Sequence, residues 1–184
     1  DDGEVRGIRF YAGQGASKDK PLDLASFFQS VTLRKSFVGI NFAVNGVSAS
    51  EATANSGQVV SGAVSLNNGL TTDIHDVVVE LDIDGSAINK PSVQAGPAGF
   101  YDSIQNKITW HYKNSPDLSV LKPAESRLLW FNFQLNDVNS RENFLRNPEM
   151  FMTLKVKGQN LTNENLPKDL TSQIPKTLKI GSSL

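Results

Sequence analysis

The chain has 184 residues, with 18 lysines and arginines against 19 aspartates and glutamates and a formal net charge of −1. This balance argues against generic nucleic-acid binding, because no basic excess is present to neutralise phosphates. The sequence contains no cysteine, which excludes disulfides, thiolate metal sites and thiol nucleophiles. No apolar run reaches about 18 residues, so this segment is not expected to span a membrane.

The first 36 residues differ in character from the rest of the chain. They hold four glycines and a Lys-Asp-Lys cluster, and residues 21–30 begin with a proline, which is typical of the first turn of a helix. We predict that residues 1–36 are a lead-in or linker with a short helix at 21–30. The chain begins with Asp-Asp-Gly, and we expect it to be a segment of a longer protein, with any export signal or membrane anchor outside the segment.

From residue 38 onward, apolar residues alternate with polar ones, which is the period of half-buried strands. Asn45-Gly46 and Asp84-Gly85 are turn dipeptides that follow two of these alternating segments. Seven strands are recognisable, and the region 90–104 has room for short ones; the alternation covers residues 38–44, 60–66, 77–83, 108–112, 129–135, 150–156 and 178–180. Strands separated by turns rather than helices predict an all-β antiparallel sandwich.

Residues 57–135 carry a more specific pattern. Its parts are Asn67-Asn68, Gly99 to Ser103, Asn106 to Trp110, Pro116 to Leu118 and Leu121 to Glu125. This pattern resembles the immunoglobulin-like repeat domains of large bacterial cell-surface proteins. Ala124 departs from the family, which has glycine there, so we expect a turn that tolerates a Cβ.

The resemblance implies an immunoglobulin-like antiparallel β-sandwich of about seven to nine strands across residues 37–184. It implies an extracellular or cell-surface location within a longer, anchored protein. Its partners would be neighbouring domains of the same chain or other surface proteins. The function implied is a structural or spacer module, and the alternative is an adhesin-like domain that binds a protein or glycan on a cell surface.

An enzyme is not expected. The chain has only two histidines, His75 and His111, and no G-x-S-x-G elbow that would place a nucleophile beside a base. Surface proteins of this class sometimes contain a Lys–Asn isopeptide bond. The apolar strands show no lysine in phase with their core residues, so we expect no such bond.

Exposed aromatic residues give the candidate contact face. Leu128 and Trp130 alternate with the core positions of their strand, and Phe151 is out of phase with the methionines around it. If these strands are antiparallel neighbours, Trp130 and Phe151 share one outer surface. Such a surface needs a cover. The alternatives are residues 1–36, a neighbouring domain or subunit, and a glycan or other ligand stacked on Trp130.

A second contact region is predicted around Phe100-Tyr101. Gly99 precedes these aromatic residues and suits a tight turn that seats them over one end of the sandwich. The loops around this pair are the other surface that an adhesin-like domain would use.

Acidic residues suggest one metal hypothesis. Asp82-Ile83-Asp84-Gly85 resembles the start of a calcium loop, so Asp82 and Asp84 are weak calcium candidates. The closing glutamate of an EF-hand loop is missing, and the alternative is a strand with solvated carboxylates. No other cofactor is expected.

Charge is distributed unevenly along the chain. Residues 73–84 hold five acids and no base, while residues 155–184 hold five lysines and two acids. Two interpretations remain open. The first is complementary ends of domains in tandem, and the second is two solvated surfaces.

Overall fold

The computed structural model describes residues 5–14, 22–32, 36–137, 149–162 and 166–181. The chain forms two compact units, Asp1–Ser36 and Phe37–Leu184. In the first unit, strands β1 (Val5–Gln14) and β2 (Leu22–Thr32) pair in antiparallel fashion, with Phe10 opposite Phe27. The predicted helix at 21–30 is therefore wrong. β2 contains two adjacent phenylalanines and ends in Val31 and Thr32, residue types that favour strands, and β1 supplies its main-chain partners.

The described residues of the second unit form eleven strands and two short 3₁₀ turns. The strands are β3 (Val38–Val44), β4 (Glu51–Asn55), β5 (Val59–Asn68), β6 (Ile74–Asp84), β7 (Gln94–Ala95), β8 (Gly99–Asp102), β9 (Lys107–His111), β10 (Val120–Leu121), β11 (Ser126–Gln134), β12 (Glu149–Gln159) and β13 (Asp169–Gly181). The 3₁₀ turns are η1 (Lys90–Ser92) and η2 (Pro116–Leu118).

These strands form two sheets. The four-stranded sheet has the order β3-β5-β11-β7, and the large sheet has the order β4-β13-β12-β6-β9-β8, with β10 beside β6. This arrangement corresponds to the two sheets of an immunoglobulin-like sandwich. The predicted all-β fold is confirmed, with eleven strands rather than seven to nine. One pair, β4 with β13, is parallel.

The core lies between the two sheets. Residues of β5 and β11 alternate between buried and more exposed, and so do those of β6 and β12. Trp110 of β9 is fully buried in this core, on the same face of the strand as Ile108. Gly62 packs directly against the ring of Phe131. A Cβ at this position would lie 2.0 Å from the ring, so there is no space for a side chain. Within the described ranges, no helix has the length and apolarity needed to cross a membrane.

The chain crosses from one sheet to the other between β3 and β4, which are edge strands of the two sheets. The chain leaves the four-stranded sheet at Val44, turns at Asn45-Gly46 and joins the large sheet at Glu51. The two turn residues have positive φ angles of 50° and 79°, which explains the Asn-Gly pair seen in the sequence. Asn45 bridges both sheets, since its Oδ1 accepts from Ser61 N at 3.0 Å and its Nδ2 donates to Thr53 O at 3.2 Å.

Lys176 of β13 binds this crossing from inside the core. Its Nζ donates to Val47 O at 2.9 Å and to Ala49 O, and lies 5.3 Å from the centre of the Phe42 ring. The side chain is buried, and burial lowers its pKa. Lys176 is in phase with Leu178, so the prediction that no in-phase lysine exists is wrong. Both acceptors are main-chain carbonyls.

We expect Lys176→Met to lower the free energy of unfolding by about 1–3 kcal/mol, because Ala49 O loses its side-chain donor and Val47 O loses one of its two donors. Chemical denaturation of the full chain at pH 7 measures this. The matched control is Lys157→Met, which breaks an ion pair at the surface and should cost less than about 1 kcal/mol.

The pH dependence gives a second readout of the same variant. The folded-state pKa of Lys176 lies below the unfolded value of about 10.4, so the unfolded chain binds more protons as that value is approached. The stability of the wild type relative to Lys176→Met should therefore rise with pH towards about 10.4. A flat difference would contradict a buried, desolvated ammonium group.

Candidate functional site

Trp130 and Leu128 lie on the outer face of the four-stranded sheet. They alternate along β11 with the buried residues Leu129 and Phe131, as the sequence indicated. Trp130 is 42% exposed and Leu128 is 70% exposed. The structure therefore presents two large apolar side chains side by side on one strand.

The indole of Trp130 is held in place by the turn that follows β7. Gly96 N donates to Trp130 O at 2.7 Å. A Cβ at Gly96 would lie 2.9 Å from that oxygen and 3.0 Å from the ring atoms Cε2 and Nε1. Only glycine lets the chain approach the indole this closely. The ring is thus packed on one side although much of it is exposed.

A cavity of about 200 Å³ opens beside this ring. It lies where the edge of β11 meets the β7–β8 turn and η2. Its lining combines apolar and polar residues: Gly96, Pro97, Trp110, Ser115, Asp117, Leu118, Arg127, Leu128, Leu129 and Trp130. We call this feature the Trp130 cavity. Trp110 contributes to the wall, and its buried Nε1 has no hydrogen-bond partner among the described residues.

Arg127 fixes the polar side of the Trp130 cavity. Its Nε donates to Asp117 O, its Nη1 to Ser126 O and its Nη2 to Glu125 Oε1, each at 2.9 Å. Glu125 also accepts from Lys122 N at 2.9 Å. The pKa of Glu125 is lowered first by this main-chain donor and then by Arg127. The guanidinium is therefore held in one orientation between η2 and the start of β11.

The turn before β11 differs from the expectation at Ala124. Glu125 N donates to Lys122 O at 3.0 Å, which closes a four-residue turn with Pro123 in its second position. Ala124, in the third position, has a φ of 60°. This is the left-handed region of a type II turn, where glycine is preferred. The expectation of a turn that tolerates a Cβ is wrong, and Ala124 carries the strain.

We expect Ala124→Gly to raise the free energy of unfolding by about 0.5–1 kcal/mol. Removal of the Cβ relieves a cost of about 1–2 kcal/mol, and the greater freedom of glycine in the unfolded chain cancels part of the gain. Thermal and chemical unfolding measure the change. Ala43→Gly, in a regular strand, is the control and should destabilise.

Phe151 does not share a surface with Trp130. It lies on β12 of the large sheet, opposite Asp84 on β6 and Thr177 on β13, and is 52% exposed. The prediction of one shared outer face is wrong, because β11 and β12 belong to different sheets. The alternation of apolar and polar residues predicts whether a side chain faces inward or outward. It does not predict to which of the two sheets the strand belongs.

Phe100 and Tyr101 lie in a strand rather than in a loop at one end of the sandwich. They belong to β8, at the edge of the large sheet, where Phe100 is opposite Thr109 and is 64% exposed. Tyr101 packs against the core, and its hydroxyl donates to Asn106 Oδ1 at 3.2 Å. Burial, and then Asp102, raise the pKa of Tyr101. The expectation that both aromatics cover one end is therefore wrong.

The calcium candidates are not arranged as ligands. Asp82 Oδ2 accepts from Lys155 Nζ at 3.0 Å, and Asp82 Oδ1 lies 3.3 Å from Lys107 Nζ. Asp84 lies one step further along the same face of β6, opposite Phe151. Nowhere in the described part of the chain do three or more His, Cys, Asp or Glu residues meet as a metal-binding group. The geometry at Asp82 favours ammonium groups over a metal ion.

The acidic and basic segments of the sequence are neighbouring strands of one sheet. β6 pairs with β12, so that Lys155 reaches Asp82 and Lys157 Nζ reaches Glu80 Oε2 at 2.7 Å. Lys179 on β13 likewise lies 2.8 Å from Glu51 on β4. These partly exposed charges pair with one another within one sheet, so the interpretation of complementary domain ends does not describe these residues.

The pKa of Asp82 gives an acid-dependent prediction. Burial alone would raise it, but hydrogen bonds from Lys155 and Lys107 outweigh that effect and lower it. A lowered pKa contributes stability above the unfolded value of about 3.9, and this contribution is lost as pH falls through the folded value. We expect wild type to be more stable than Asp82→Asn at pH 7 and to lose this advantage below about pH 3.9.

Denaturant unfolding at a series of pH values tests the effect. Asp84→Asn is the control, since Asp84 makes no ion pair with the described residues. An advantage for wild type that persists unchanged at pH 2 would contradict the role of the two lysines.

Sequence reasoning missed the polar residues of the Trp130 cavity. Asp117 and Arg127 are ten positions apart, and only the fold of η2 against β11 brings them together. Lys176 was also missed, although its spacing of two and four residues from Leu178 and Ile180 carried the signal.

The sequence matches no family model and no curated protein. Many solved structures have a similar fold. The major pilin subunit BcpA of Bacillus cereus is 12% identical over 97% of this chain and 48% of its own, with a TM-score of 0.46. AggA, the major subunit of aggregative adherence fimbriae type I from Escherichia coli, is 9% identical over 79% of this chain and 95% of its own, with a TM-score of 0.42.

AvmM, which catalyses macrocyclization in alchivemycin A biosynthesis, is 11% identical over 82% of this chain and 92% of its own, with a TM-score of 0.48. The present chain spans about half the length of the pilin subunit. Surface-protein subunits are thus among its structural neighbours, beside a catalyst. Similarities this distant concern the sandwich fold and carry no argument about activity.

Proposed function

We propose that the chain is a structural spacer module of an exported bacterial surface protein, with no enzymatic activity. The observation that carries this proposal is the position of the two ends of the sandwich. Phe37, where the sandwich begins, lies beside Gly158. Gly158 is opposite Leu170, near the start of β13, whereas the last strand ends at Gly181.

The two ends therefore lie at opposite poles. The strand from Leu170 to Gly181 spans about 36 Å at about 3.3 Å per residue. A domain entered at one pole and left at the other adds its whole length to a chain of domains. This is the geometry that a spacer needs.

The same topology determines how the domain would bear tension. β4 runs parallel to β13, from Glu51 opposite Thr177 to Asn55 opposite Gly181. Force on the two poles would slide β4 and β13 past each other and load their hydrogen bonds together. The Lys179–Glu51 ion pair and the bonds of Lys176 to the crossing join the same two segments.

The sequence supports the setting. The resemblance of residues 57–135 to immunoglobulin-like repeats of bacterial surface proteins favours an exported, anchored parent protein, with neighbouring domains or surface proteins as partners. The alternative, an adhesin-like binding domain, is supported by a separate feature, the Trp130 cavity.

Force spectroscopy on the full chain tests the spacer role. The absence of native cysteines allows handles at chosen pairs of engineered cysteines. Ser36→Cys with Gly181→Cys pulls on the two poles. The matched control is Gln159→Cys with Asp169→Cys, which pulls apart two residues that face each other and opens β12 from β13 bond by bond.

We expect a higher unfolding force for the pole-to-pole pair than for the control pair, because bonds loaded together fail later than bonds loaded in sequence. A pole-to-pole force equal to or below that of the control would overturn the load-bearing role. Protease treatment of intact cells that make the protein provides the test of location. Cleavage only after lysis would overturn the surface assignment.

A further inference from the structure

We propose that the Trp130 cavity binds one pyranose unit of a glycan. This inference deepens the alternative function, a binding domain, and is independent of the spacer role. Five features of the cavity support it. They are the exposed indole of Trp130, the carboxylate of Asp117, the hydroxyl of Ser115, the oriented guanidinium of Arg127 and the main-chain edge of β11 at Leu128.

Size restricts the ligand. Pockets for drug-sized molecules have volumes of about 300–1,000 Å³. The Trp130 cavity, at about 200 Å³, is smaller and suits a single ring-sized group. The exposed faces of Trp130 and Leu128 extend from its mouth. One sugar unit would fill the cavity, and adjoining units of the glycan would lie over these two side chains.

The chemistry of the lining matches a polyol with one apolar face. Trp130 presents an aromatic surface of the kind that packs against the C–H groups of a pyranose. Asp117 and Ser115 supply acceptor oxygens, and Ser115 also supplies a donor. The described contacts of Arg127 use three of its five N–H groups, which leaves two donors on this cavity-lining residue.

The edge of β11 adds main-chain groups. Gly96 N bonds to Trp130 O, and the main-chain groups of every second residue of an antiparallel strand point to the same edge. Leu128 is two positions earlier than Trp130. β7 ends at Ala95, and the described part of the chain places no further strand along this edge. The amide and carbonyl of Leu128 therefore face the cavity region without a strand partner.

Both donors and acceptors line the cavity, and this decides the class of ligand. An apolar side chain of a partner would leave these groups unpaired, which costs binding energy. A lone cation would satisfy the carboxylate of Asp117 but not the N–H groups of Arg127. A sugar hydroxyl donates and accepts, so a pyranose can satisfy both kinds of group.

The site is also rigid before binding. Gly96 holds the indole on one side, and three hydrogen bonds hold the guanidinium of Arg127. A ligand that meets fixed groups loses less binding energy to ordering the protein.

The test uses the full chain and the methyl glycosides of glucose, galactose, mannose and N-acetylglucosamine. Saturation-transfer NMR and tryptophan fluorescence report binding. For a ligand of this size we expect a Kd on the order of 1 mM for at least one glycoside. Trp130→Ala should weaken that binding by about tenfold or more, and Asp117→Asn by about threefold.

Two variants provide matched controls. Phe151→Ala removes a somewhat more exposed aromatic residue from the other sheet, and Asp84→Asn removes an exposed carboxylate. Both should bind as wild type does. Thermal unfolding measures whether each variant is folded. If Trp130→Ala does not fold, Asp117→Asn still tests the proposal.

Failure to bind any of the four glycosides at about 20 mM would overturn the proposal. Binding that survives both Trp130→Ala and Asp117→Asn would also overturn it, as would equal weakening by Phe151→Ala. If the protein bound a proline-rich peptide but none of the glycosides, the proposal would be overturned and the ligand of the cavity would be a protein segment. None of these results bears on the pole-to-pole force, so the spacer role stands or falls separately.

Discussion

The fold depends on the crossing of the first edge strand from one sheet to the other. β3 covers the edge of the four-stranded sheet, and β4 covers the edge of the large sheet beside β13. Between them, two main-chain carbonyls of the crossing accept part-buried hydrogen bonds, and a carbonyl that is partly removed from water needs a donor. Lys176 donates to Ala49 O and is the second donor, after Val44 N, to Val47 O, at the cost of burying an ammonium group. One long side chain thus closes both sheets at the same edge.

The register between β6 and β12 has a comparable effect on the outer face of the large sheet. A strand with Glu80, Asp82 and Asp84 would repel a like-charged neighbour, and its actual neighbour carries Lys155 and Lys157. Each surface pair adds little free energy by itself. Together they favour the pairing of β6 with β12 over the pairing of β6 with another acidic strand.

Much of the fold follows from the sequence. The long strands were predictable because their alternation extends over many residues, as in β6 and β12. The two-residue strands β7 and β10 carry no readable period, and β2 was mistaken for a helix because its partner, β1, is not part of a local pattern. The assignment of strands to sheets was not predictable either. Trp130 was correctly placed on an outer face, but its relation to Phe151 depended on a connection that passes from one sheet to the other.

The shortness of β7 explains why the candidate site lies where it does. An open strand edge invites pairing with other chains, and proteins protect such edges with turns and loops. Here β7 pairs with only two residues of β11, and the remaining edge is approached by η2 and by the turn at Gly96 and Pro97. Turns protect an edge sterically without pairing all of its main-chain groups, so a polar cavity remains. The residues that line it belong to none of β3, β4 and β13, which carry the path between the poles. A domain of this construction can therefore bear load along one edge and hold a ligand at another, because neither task draws on the contacts of the other.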